Sequence, residues 1–247
     1  MLNVLTSFVK ATPLAIPFIW AKGRITKPAT QNDEALILKT LLQRFEIPKR
    51  FIEFGFSGWE FNCAPIAYEW QGLLLDGGEY NITIARTILP KRVEARHLWI
   101  TRESLSEVKD WAEGKDIGIL SIDVDGNDYW FWKELLFLKP SMLIAEYNST
   151  FGIRPITIPY HPDFDRSKFG KTYFGASLTA LARLFEGYSL IEVTNIGVNA
   201  FFIRNDLIGK HDRPLDPEAA YRELPHADGS RPDERWEKIK HLEFVTV

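Results

Sequence analysis

Apolar residues recur along this chain in two rhythms, and the alternation between them sets the expected layout. From Asp33 to Phe45 the positions Ala35, Leu36, Leu38, Leu41 and Leu42 form a helical stripe. Short, nearly unbroken apolar runs follow at 51–56 and 72–76, as in strands covered on both faces, with a helix expected between them at about 60–70. A third strand is expected over Ala95–Ile100, a helix over Glu103–Ala112, and a fourth strand over Ile117–Val124. Then come a helix from Asp128 to Leu138, a strand from Met142 to Tyr147, and a helix from Ser177 to Phe185. Two last strands, 188–194 and 198–204, are joined through Asn195-Ile196-Gly197. Residues 148–172 have no period and carry three prolines and two glycines, so they read as one long loop, of the kind that commonly covers a binding site.

Strands alternating with helices and closing in a hairpin predict an α/β fold. It should be a doubly wound, Rossmann-like, mainly parallel sheet with one antiparallel strand. Right-handed crossovers then put helices on both faces. Residues 31–205 form this domain, and no internal repeat is present. Residues 206–247 are charged and proline-bearing, which predicts a mobile or partner-covering tail.

The strand at 51–56 runs into Glu53-Phe54-Gly55-Phe56-Ser57-Gly58, and the strand at 72–76 stops on Asp76. A strand, a small-residue turn and a second strand ending in an acid is the arrangement that takes an adenosine-bearing cofactor. The turn permits close approach and the acid accepts from ribose hydroxyls. A dinucleotide site wants a third glycine and a helix N-terminus for the diphosphate. Here there are two glycines, Gly55 and Gly58, and an acid, Glu53, inside the strand. That favours S-adenosylmethionine, which has no phosphate and has an ammonium group for an acid to receive. Glu53, Gly55, Ser57, Gly58, Asp76 and Asp123 are the expected cofactor contacts.

Composition narrows the class. The chain of 247 residues is 45% hydrophobic, with eight Trp and seventeen Phe, which excludes a disordered protein. A net charge of −3 gives no electrostatic case for nucleic acid as a partner. The one cysteine, Cys63, rules out an intrachain disulfide and a cysteine-rich zinc site and fits the cytoplasm. Residues 1–30 form an apolar N-terminal segment. Lys10, Pro13 and Pro17 break residues 1–20 too often for a membrane span, and no basic stretch precedes the apolar run as in a signal peptide. The segment is expected to pack on the domain or on a second subunit, with peripheral contact to a membrane as the alternative.

Two strand ends concentrate acids. The fourth strand ends Ser121-Ile122-Asp123-Val124-Asp125-Gly126-Asn127-Asp128 and the fifth ends Glu146-Tyr147-Asn148. Asp123 with Asp125, and Glu146 with Asn148, point the same way along a strand. On neighbouring strands such a group raises a pKa or binds a cation. Oxygen ligands without cysteine suggest Mg²⁺, held by Asp123, Asp125, Glu146 and Asn148. Asp128 is expected to cap its helix. Asp123, Glu146 and His161, the last on the long loop, are the candidate bases.

Taken together, Phe51–Gly58, Asp76, Ser121–Trp132, Glu146–Asn148 and Gly197–Arg204 resemble a class I S-adenosylmethionine-dependent methyltransferase. The nearest branch is the FkbM-like and Mg²⁺-dependent sugar O-methyltransferases. The resemblance, over about residues 30–205, implies a seven-stranded sheet, the cofactor over the first two strand tips, and a sugar or glycoside hydroxyl acceptor near the fourth and fifth, as in polysaccharide biosynthesis. Two features depart from it: Trp59 is bulky beside the turn, and no Asp-Asp pair follows the fifth strand. A nucleotide- or NAD-binding enzyme of sugar metabolism, or a non-catalytic binding module, are the rival classes. A homo-oligomer is compatible with the sequence.

Overall fold

Seven strands, in the order β3-β2-β1-β4-β5-β8-β7, make the sheet on which everything else is laid. The structure is a computed structural model and describes residues 15–247, so the expectations for residues 1–14 lie outside the described residues. In chain order its main elements are α1 (Ala15–Gly23), α2 (Glu34–Arg44), β1 (Arg50–Phe54), β2 (Gln71–Asp76), α3 (Glu79–Ile88) and β3 (Val93–His97). There follow α4 (Ser106–Ala112), β4 (Ile119–Ile122), α5 (Asp128–Leu135), β5 (Met142–Glu146), β6 (Ile156–Thr157) and α6 (Arg166–Phe169). The chain ends with α7 (Leu178–Leu184), β7 (Tyr188–Val193), β8 (Asn199–Arg204), α8 (Pro217–Ala220), α9 (Pro232–Ile239) and β9 (Val245–Thr246). Strands β1 to β5 are mutually parallel, and β8 runs antiparallel to both β5 and β7.

The period of two within each strand divides the core between the faces. Ile52, Phe54, Leu73, Leu75, Leu120, Ile122, Leu143 and Phe202 face α4, α5 and α7. Phe51, Leu74, Ile119, Ile144, Phe201 and Ile203 face α2, α3 and the segment 61–70. Helix α2 uses Ile37, Leu38 and Leu41 for this, positions one turn apart on one side. Parallel strands covered on both sides leave their C-terminal ends as the open edge, and the site lies there.

Several sequence expectations are corrected. Residues 61–70 form consecutive turns, not an α-helix. The N–H groups of Asn62 and Cys63 donate to the Glu53 carboxylate, and Pro65 has no N–H to continue a ladder. What remains are mostly three-residue turns, such as Ala64 to Phe61 and Ile66 to Cys63. Helix α3 was not expected at all: Asn81, Thr83 and Thr87 are poor helix formers, and only packing of Ile82, Ile84 and Ala85 selects it. Strand β3 runs over Val93–His97, not Ala95–Ile100; the Leu98 N–H to the Asp76 carbonyl is its last ladder bond, since β2 itself ends at Asp76.

The tail and the long loop fold together. In place of a mobile tail, 206–247 returns to the domain: β9 pairs antiparallel with β6, inside the stretch expected to be loop. Trp236, Ile239, Leu242 and Phe244 pack on Phe151, Ile156, Ile158 and Tyr173. Arg235 is buried with its Nε on Thr150 Oγ1. The many charges of this segment face outward and hide the three-to-four-residue spacing of its apolar side. At the other end, α1 lies on α3 by placing Ile19 against Ile84.

If the tail is integral, truncating its buried anchor should unfold the domain readily. Phe151→Ala removes a ring that meets Phe244 at 5.4 Å and Trp236 at 6.4 Å, and should cost about 3–5 kcal/mol in urea denaturation. A loss below about 1 kcal/mol would mean that loop and tail are not part of the cooperative unit.

Candidate active site

The ends of β1, β2 and β4 enclose a cleft of about 480 Å³. Its floor is the turn after β1. Gly55 there has φ of +66°, and a Cβ would stand 1.5 Å from the Asp123 carbonyl oxygen, so only glycine fits. Gly58 serves a different purpose than expected. It does not line the cleft; a Cβ there would strike Ile84, so it lets the turn settle on α3. Ser57 does line the cleft. Trp59 points away from it, toward Ile19 and Ile84, which explains how a bulky residue is accommodated beside the turn.

Glu53 is buried, accepting from the N–H of Asn62 at 2.6 Å and of Cys63 at 2.8 Å. Burial pushes its pKa from 4.5 up to about 7, against the pull of those two bonds. Asp76, at the tip of β2, accepts from Phe56 N–H, Gly78 N–H and Asn81 Nδ2. Asn81 also receives the Gly58 N–H, so it ties the turn to the acid. Asn81 escaped the sequence reading because its helix did; its position five residues after Asp76 is the only signal that could have marked it. Trp99, another residue not foreseen, lines the mouth and donates Nε1–H to the Pro162 carbonyl of the long loop at 3.3 Å.

On the far side the acids converge. Ligand oxygens of Asp123, Asp125 and Glu146 lie within 4.8 Å of one another. Glu146 Oε2 is buried there without a hydrogen-bond partner. Burial, and next the charge of Asp128, raise the Asp123 pKa to about 7. Glu146 is raised well above its ordinary value by burial and by Asp123. Asp125 takes a left-handed φ of 56° and pairs with Arg166, whose guanidinium also stacks on Phe174.

Three expectations are revised here. Asp128 does not cap α5: its carboxylate turns back to the N–H groups of Val124 and Gly126, both at 2.8 Å, shaping the loop between. Asn148 does not join the acids. Its Oδ1 accepts from Thr150 N–H and its Nδ2 donates to the carbonyls of Thr172 and Phe174. The ring of His161 is exposed and stands outside the cleft lining, its Nδ1 accepting from Asp163 N–H. The backbone of His161 is what matters locally: Asn127 bonds both its N–H and its C=O and pins the long loop to the loop after β4.

No protein-family profile matches the chain, and no curated protein sequence does. Solved structures of similar shape include the N-terminal domain of EvdMO1 in the presence of SAH and D-fucose. It is 13% identical, with 76% of this chain and 95% of that one covered and a TM-score of 0.44. A SAM-dependent methyltransferase from Thiobacillus denitrificans in complex with S-adenosyl-L-homocysteine is 12% identical, covering 66% of each chain, with a TM-score of 0.38. One from Geobacter sulfurreducens, in the same complex, is 16% identical over 72% of each chain, with a TM-score of 0.38.

The raised pKa of Glu53 has a consequence for stability. Between 4.5 and about 7 the folded protein holds a proton that the unfolded chain has released, so stability falls as pH rises through that window. Glu53→Gln lacks this proton. The melting-temperature gap between wild type and variant should therefore narrow from about pH 5 to about pH 8. A gap independent of pH would show that Glu53 stays ionised throughout.

Proposed function

We propose that this protein is an S-adenosylmethionine-dependent O-methyltransferase whose acceptor is a hydroxyl of a sugar or glycoside. One observation carries the cofactor assignment: the cleft is lined by Glu53, Glu60, Asp76, Asp123 and Asp125 and, among the described residues, by no Lys or Arg. Such a surface repels a diphosphate and suits a ligand with a sulfonium and an ammonium group. The segment after the turn forms no α-helix whose N-terminus could receive a diphosphate, and its Asn62 and Cys63 N–H groups are taken by Glu53. Both facts count against a nicotinamide dinucleotide, which would use the same sheet.

The cofactor supplies an electrophilic methyl group when bound. Asp76 is the residue positioned to receive the ribose hydroxyls, while Gly55 lets the ligand lie close to the turn. Trp99, Phe131 and Phe164 give the cleft apolar walls, against which the C–H face of a sugar ring would pack. The acceptor hydroxyl must lose its proton as it attacks, and Asp123 is the group we assign to take it. A carboxyl with a pKa of about 7 is matched to that task near neutral pH. Glu146 stands beside it, kept protonated to higher pH by burial and by the charge of Asp123. Proximity and alignment of the reacting atoms supply most of the remaining acceleration, up to roughly 7–11 kcal/mol.

A second reading rests on the close approach of three carboxylates. Asp123, Asp125 and Glu146 would hold a divalent ion such as Mg²⁺, whose charge lowers the pKa of a hydroxyl bound to it. Arg166 would have to give up Asp125.

Calorimetry tests the cofactor. S-adenosylmethionine should bind more tightly than NAD, and Asp76→Ala should weaken it by roughly 1.5–3 kcal/mol for each charge-assisted hydrogen bond lost. Tighter NAD binding would reject the assignment, and unchanged affinity in a folded variant would remove Asp76 from it.

Turnover assays separate base from metal. Asp123→Asn should lower the methyl-transfer rate by about 10²–10⁴-fold, far more than it weakens cofactor binding. Full activity after exhaustive EDTA treatment would leave Asp123 as a simple base. Loss in EDTA with recovery in Mg²⁺ would establish the metal.

A further inference from the structure

Helix α1 is apolar nearly all the way round, yet only one side of it is covered. Ile19, 1% exposed, meets Ile84, and Gly23 lies close against Ile88. The other apolar side chains face outward: Ile16 is 56% exposed, Phe18 50% and Trp20 53%, and Ile25 just beyond the helix is 89% exposed. A helix apolar on all sides is ordinarily buried on all sides. Contiguous exposed apolar surface on a soluble domain marks something that binds there.

Charge identifies the occupant. The first thirty-two residues contain Lys10, Lys22, Arg24 and Lys27 and no Asp or Glu, in a chain whose net charge is −3. Two of these cations lie over aromatic rings of the same region, Lys22 Nζ at 4.2 Å from the Trp59 ring and Arg24 at 4.9 Å from the Trp20 ring. Arg24 therefore sits level with the exposed Trp20 ring, and Lys22 lies over the half-buried Trp59 with its stem along apolar surface. A face used by a second copy or by a protein partner is typically depleted of lysine. Bulky aromatic and aliphatic side chains interleaved with Lys and Arg, on a helix lying flat on its domain, match the boundary between headgroups and acyl chains of an anionic bilayer.

We propose that α1 and the residues to Lys27 dock this protein peripherally on an anionic lipid surface, with Ile16, Phe18, Trp20 and Ile25 entering the interface and Lys22, Arg24 and Lys27 meeting headgroups. Among the described residues no helix is long and apolar enough to cross a membrane. The attachment is by one face of a short helix, so it is reversible and sensitive to salt.

Co-sedimentation of the full chain with vesicles tests this directly. Phosphatidylcholine vesicles containing about 30 mol% phosphatidylglycerol should pellet the protein, and pure phosphatidylcholine or high salt should weaken binding by about tenfold or more. Phe18→Ser with Trp20→Ser, and separately Lys22→Glu with Arg24→Glu, should each weaken it by at least about tenfold. The second pair changes only exposed charges and keeps the test valid should the first pair disturb folding. Absence of binding to anionic vesicles would overturn the proposal, as would binding that neither pair alters. A dimer in light scattering that Phe18→Ser with Trp20→Ser converts to monomer would assign the face to a second copy instead. None of these outcomes depends on the proposed methyl transfer.

Discussion

The arrangement turns on one buried carboxyl group. Glu53 sits in the middle of the sheet's first strand and reaches out to the N–H groups of Asn62 and Cys63. That contact ends β1 in a closed turn and stops the following segment from becoming a helix. A buried acid with two N–H donors is still costly to ionise, which is why its pKa rises in spite of them.

The opposite wall is under the same constraint. Asp123, Glu146 and Asp128 are close enough that their charges add, and burial strengthens the repulsion. The structure relieves it in three ways. Asp128 spends both oxygens on backbone N–H groups of its own loop. Asp125 accepts a guanidinium. Asp123 and Glu146 hold their protons more tightly than free carboxyls do, the Asp123 pKa rising to about 7. The last arrangement leaves the site poised to exchange a proton near neutrality, and that is the property the proposed chemistry needs.

Above the cleft, a segment that looks irregular is held firmly. Asn127 grips the backbone of His161, Trp130 donates to the Ile158 carbonyl at 2.9 Å, and Asn148 ties down Thr172 and Phe174. Behind it the tail contributes β9 and the aromatic cluster of Phe151, Trp236 and Phe244. Because these contacts come from elements far apart in the chain, the roof over the site depends on the whole domain being folded. Its position relative to the acids is correspondingly well defined.

The strands and their order of appearance could be read from the chain because buried parallel strands need unbroken apolar runs, and few other elements do. The glycine turn, Asp76 and the acids at 123 and 146 were legible for the same reason: strand ends place side chains predictably. Other features depend on contacts between distant segments. The roles of Asn81, Asn148 and Gly58 are decided by hydrogen bonds and packing with partners more than twenty residues away, and no local pattern announces them. The tail is the clearest case, since its apolar side acquires meaning only once Phe151 and Ile156 provide a surface to cover. Local periodicity determined where the backbone is regular. Tertiary structure alone decided which polar groups meet, because hydrogen bonds between distant segments depend on the packed arrangement of the sheet, and the sequence encodes that arrangement only as a whole.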